Sequence, residues 1–78
     1  MKEEKMETAQ ELEFVIFCVE NIAARLKTSS VKVYDALTRE SSIINEYIVP
    51  EYDILHTQSK DYIVDDILDV MEEQGVSV

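Results

Sequence analysis

From Leu12 onward the apolar residues of this chain recur at intervals of three and four: Leu12, Val15, Ile16, Val19, Ile22, Ala23 and Leu26. On a helix that spacing gathers them into one broad stripe, and it predicts a first helix over residues 9–27. A rival reading makes the run from Phe14 to Val19 a buried strand, because β-branched and aromatic side chains favour sheets. The length of the periodic stretch and the absence of Gly or Pro around it favour the helix. Thr28, Ser29 and Ser30 then interrupt the pattern with side chains that accept from free backbone N–H groups, so one of them caps a second helix over residues 31–40. The apolar residues there, Val33, Tyr34, Ala36 and Leu37, are few, and this helix needs the first for support.

Ser41 and Ser42 punctuate again. Ile43, Ile44, Tyr47 and Ile48 predict a short third helix that ends near Val49, because Pro50 disfavours helical geometry in the residue before it. Tyr52 and Leu55 fit one face of a single turn, and residues 56–59 read as a polar connection. Ser59 or Lys60 opens a last helix with the stripe Ile63, Val64, Ile67, Leu68 and Met71, and Gly75 is placed for the left-handed conformation that follows a helix end. Residues 76–78 form a tail, either frayed or clipped against the core, and residues 1–8 are charged, aperiodic and expected to be flexible. The predicted fold is all-α: a small bundle of about four helices with the third short, one domain over residues 9–75. Its core joins the stripes of the first and last helices with Val33, Leu37, Ile44 and Ile48.

Composition narrows the function classes. At 78 residues the chain holds one core or shares one with a partner, and 46% hydrophobic content is too high for a disordered segment. One Gly and one Pro leave little turn chemistry for a many-stranded sheet. The net charge of −10 repels phosphate backbones and anionic lipid headgroups, so nucleic acid and membrane surfaces are disfavoured partners. The longest apolar run, Phe14 to Val19, is six residues against the ~20 that span a bilayer. With a single cysteine, Cys18, no internal disulfide is available, and a cytoplasmic location is expected.

The charge is uneven. Residues 51–78 carry eight acids against Lys60 alone, whereas residues 1–50 carry nine acids against six bases. Asp61, Asp65, Asp66, Asp69, Glu72 and Glu73 all fall on the last predicted helix, where like charges four apart and acids at the C-terminal end both weaken it. Such a surface suits docking to a basic protein partner, and solubility explains it equally well. Carboxylate metal sites in bundles draw ligands from several helices facing inward, while this stripe is expected to face water, so no metal or cofactor is expected.

Cys18 lies within the apolar stretch and reads as inert filler; with no His or Asp placed to activate it, catalysis is not expected. His56, the only histidine, reads as a surface or turn residue, or as part of a binding surface. Phe17 falls across the helix from the main stripe, which makes it either covered by another segment or an aromatic anchor for a partner or a second copy. The candidate partner-binding residues are therefore Phe17, Tyr52, His56, Asp65, Asp66, Asp69, Glu72 and Glu73, with a homodimer as an additional option. An alternative is a DNA-binding regulator. Residues 22–37 resemble a helix-turn-helix, with Lys27 where the turn usually favours Gly, and a dimer would present Lys32 and Arg39 to DNA.

The stretches 47–58 (YIVPEYDILHTQ) and 61–67 (DYIVDDI), together with 13–17 (EFVIF) and 33–37 (VYDAL), resemble a bacterial family known as domain of unknown function 3791. The similarity covers about residues 10 to 75, and members often carry Gly where this chain has Ser59. The resemblance implies a small cytoplasmic protein of gut-type bacteria with no established activity. It also implies a gene neighbour resembling ADP-ribosyltransferases, and hence an accessory or antitoxin-like role.

Overall fold

The computed structural model describes residues 9–78; the expectation for residues 1–8 lies outside them. Helix α1 (Ala9–Leu26) is followed by α2 (Ser30–Thr38), a π-helical turn (Ile44–Ile48), the single turn α3 (Tyr52–Leu55) and α4 (Lys60–Glu73). The fold is all-α, as predicted, and no strand occurs among the described residues. Helix α1 packs against α2 and against α4, and α2 packs on the π turn.

The punctuation in the sequence acts as caps. Ser29 and Ser59 both take extended backbone, and each side-chain oxygen accepts from the N–H three residues on, Lys32 and Tyr62 respectively, at 3.2 Å. Ser59 thus sits at φ −70°, outside the left-handed region. Ser41 donates its hydroxyl to the carbonyl of Ala36 at 2.8 Å while its oxygen receives the N–H of Ile43 at 3.4 Å.

Two helix ends share one geometry. After α4, Gly75 has φ +71°, and the N–H of Val76 reaches back to the carbonyl of Met71 at 2.9 Å. After α1, Lys27 has φ +58°, and the N–H of Thr28 reaches the carbonyl of Ala23 at 3.0 Å. Both are six-to-one closures around a left-handed residue, but only the second forces a side chain into a conformation that costs an L-residue energy.

The predicted third helix is a π turn, closed by the N–H of Val49 on the carbonyl of Ile44 at 2.9 Å. A wider turn suits the apolar spacing, since Ile43 and Ile48 are five residues apart and both are buried. The segment after Pro50 winds a turn of its own, α3, which buries Leu55.

The core contains Val33, Leu37, Ile44 and Ile48 with Ile63, Val64, Ile67 and Met71 of α4, as expected, while Leu68 of the predicted stripe is only partly buried against it; Ile43 and Leu55 are added. Val76 packs partly buried against it. The inward face of α1 departs from the predicted stripe. Phe14 and Cys18 join Val15, Val19, Ile22 and Ala23 inside, whereas Leu12, Ile16 and Leu26 are exposed. The buried sector is rotated toward Phe14 because α4 and Tyr52 cover that flank.

Candidate functional site

Phe14, Phe17, Asn21 and Arg25 follow one another along α1 at spacings of three, four and four, which sets them in one row. At its N-terminal end the row joins a series of rings. Phe17 stacks on Phe14 with centroids 6.2 Å apart and planes 18° apart, and Phe14 meets Tyr52 edge-on at 5.4 Å and 77°. Tyr52 in turn stacks on His56 at 4.5 Å and 8°. Phe17, Tyr52 and His56, nominated separately from the sequence, are therefore joined through Phe14, which the sequence did not single out. Phe17 is 39% exposed, so Phe14 covers it only in part. His56 Nδ1 lies 2.7 Å from the carbonyl of Tyr52. A carbonyl only accepts, so Nδ1 donates.

Further along the row, Asn21 donates its side-chain amide to the carbonyl of Phe17 at 2.7 Å. Arg25 Nη1 then meets Asp65 Oδ1 at 2.6 Å, and its Nη2 lies 3.7 Å from Asp61. The hydrogen bond to Asp65 raises the guanidinium's pKa further. Asp66 is half-buried and accepts from the hydroxyl of Tyr47. Burial, and then Asp66, push the Tyr47 phenol above its ordinary range. Two of the nominated acids are thus engaged within the molecule, while Asp69, Glu72 and Glu73 stand exposed on the last turns of α4. Among the described residues no group of three or more His, Cys, Asp or Glu is arranged to hold a metal ion. Burial pushes the Cys18 thiol up to about 12, so it stays protonated at neutral pH.

On the opposite flank of α1 lies a feature the sequence reading missed. Leu12 and Ile16 of α1, 48% and 51% exposed, face Val31 and Tyr34 of α2, 71% and 48% exposed, across an apolar groove of about 290 Å³. Val15 and Val19 also line it, and Glu20 is its one charged lining residue. A signal was available: the apolar residues of α1 cover a wider arc than one interface can bury.

Of the bases required for DNA binding, Arg39 lies 3.9 Å from Asp35, and Lys32 is exposed beside a depression shared with Asp35 and Glu40. No described helix is long and apolar enough to cross a membrane.

No curated protein and no solved structure matches the chain. The model of the family described as "Protein of unknown function (DUF3791)" matches residues 13–74, a span that takes in the ring series, the Arg25 bridges and most of the groove, and the chain belongs to that family.

Proposed function

We propose that this chain is a non-enzymatic protein-binding module, an antitoxin-like or accessory partner of a neighbouring ADP-ribosyltransferase-like protein, and that it meets a basic surface on that partner. The observation that carries the reading is the ring series, whose outer members Phe17 and His56 are exposed on a chain of net charge −10. Exposed aromatic side chains supply anchoring area at low entropic cost, and the acids Asp69, Glu72 and Glu73 supply steering. The protonated, enclosed Cys18 thiol offers no nucleophile, which also favours binding over catalysis.

Co-expression with the neighbouring ADP-ribosyltransferase-like protein tests this directly. A stable complex is expected, measured by light scattering, with an association rate that falls markedly as salt is raised. A rate indifferent to salt removes the electrostatic half of the reading, and the absence of any complex removes the whole.

One observation favours a second reading. The left-handed Lys27 gives residues 22–39 the turn that a helix-turn-helix needs. A salt-dependent gel shift on the chain's own promoter would establish that reading in place of the first.

A further inference from the structure

The groove between α1 and α2 shares no lining residue with the ring series. Leu12, Ile16, Val31 and Tyr34 come from two helices and leave their apolar surface in water around one depression. Resting on the protein-binding reading above, we infer that this groove receives the apolar ridge of a basic amphipathic helix from the partner protein.

Length, shape and charge carry the inference. The α1 side of the groove runs from Leu12 to Glu20, which at 1.5 Å per residue is about 12 Å. Apolar side chains at i, i+3 or i+4, and i+7 of a docked helix span about 10 Å, so one ridge of two turns fills the available length. The groove is lined by aliphatic side chains, with the Tyr34 ring, Ser30 and Glu20 as its polar elements.

Charge selects the occupant. Glu13 and Glu20 lie seven residues apart and so share one face of α1, next to Leu12 and Ile16 and on the solvent side of them; both are exposed. No basic residue lines the groove. Arg25 is turned to Asp61 and Asp65 of α4, and Lys32 lies beside a different depression. A second copy of this chain would set these acids and a charge of −10 against their own kind, whereas lysines or arginines flanking a partner's ridge would meet Glu13 and Glu20.

The test titrates the isotopically labelled chain with three synthetic helical peptides of about 15 residues. The first carries a leucine ridge flanked by Lys and Arg, the second the same ridge flanked by Glu, and the third the basic flanks with Ser in place of Leu. Amide shifts are expected at Leu12, Ile16, Val31 and Tyr34 with the first peptide only. Ile16→Asp and Val31→Asp, both at exposed positions and so compatible with folding, are expected to weaken that binding by at least about tenfold without changing the circular dichroism spectrum. The double variant Glu13→Lys, Glu20→Lys is expected to exchange the preference toward the Glu-flanked peptide.

Shifts confined to Phe17, Tyr52 and His56, equal binding of the two leucine peptides, or concentration-dependent dimerisation that Ile16→Asp abolishes would each overturn the inference. Failure here is distinguishable from failure of the functional reading. A complex with the ADP-ribosyltransferase-like protein that tolerates Ile16→Asp and Val31→Asp removes the groove proposal alone. Peptide binding without such a complex removes only that partner.

Discussion

The ring of Tyr52 meets the buried ring of Phe14 edge-on at 5.4 Å, which ties the single turn α3 to the first helix. Edge-to-face pairs contribute about 0.5–1.5 kcal/mol beyond area burial. Tyr52→Leu is therefore expected to lower stability by about 1 kcal/mol and to leave the fold intact. Phe14→Ala, which also empties core volume, is expected to cost about 3–5 kcal/mol. That approaches the whole stability of a small domain. Urea denaturation of the two variants checks the contrast, and a Tyr52→Leu loss as large as that of Phe14→Ala would contradict it.

Lys27 and Gly75 occupy equivalent positions after α1 and α4, both with positive φ, yet only one is a glycine. Lys27→Gly is expected to raise stability by about 0.5–1 kcal/mol, because the left-handed cost disappears while some unfolded-state freedom is added. Gly75→Ala meets no neighbouring atom, so its expected loss of about 1 kcal/mol comes from φ alone. Opposite signs for the two substitutions in thermal unfolding are the outcome that matters. Lys27→Val, β-branched, should be worse than either wild type or Lys27→Gly.

The two serine caps should respond alike. Ser29→Ala and Ser59→Ala each remove an acceptor for a free helix N–H, at a cost of about 0.5–2 kcal/mol. Ser59→Gly should cost only a few tenths of a kcal/mol, since Gly is itself tolerated at a helix start. The difference follows from the position itself: an N-cap accepts either residue, and neither needs a left-handed backbone. Equal losses for Ser59→Ala and Ser59→Gly would refute it.

The caps and helix limits were legible because they depend on neighbours in sequence. Ser29, Ser59 and Gly75 do locally what their chemistry dictates, and the stripe of α4 points inward as its spacing requires. The rotation of α1 was not legible. Its apolar arc, from Phe14 and Cys18 round to Leu12 and Ile16, admits more than one inward direction, and the choice is made by α4 and Tyr52, far along the chain. The same ambiguity hid the groove, because Leu12 and Ile16 fit a core stripe equally well on the wheel. The nominated acids were correctly placed on α4, but their engagement was not readable. Whether Asp65 meets Arg25 and Asp66 meets Tyr47 depends on how the elements cross. Phe14 was hidden for the same reason, since a ring in the middle of a helix reveals its neighbours only when the chain folds back.

Alkaline pH should unfold the protein through Cys18 first and Tyr47 second. Burial raises the folded thiol from 9.0 to about 12, and burial with the Asp66 contact raises the Tyr47 phenol above its ordinary 10.0. A group whose pKa is higher in the folded state holds its proton there after the unfolded chain has lost it. Its contribution is thus complete below the unfolded pKa and is lost as pH rises toward the folded one. Stability is expected to begin falling near pH 9 and to continue falling toward about 12, with a single titrating group contributing a slope of at most about 1.4 kcal/mol per pH unit. Cys18→Ala should flatten the first part of the decline, and Tyr47→Phe the part above pH 10. Urea midpoints measured at half-unit steps of pH check this. The thiol should also resist alkylation at pH 8 until denaturant is added, and a Cys18→Ala variant with the wild-type pH slope would show that the thiol is not enclosed as described.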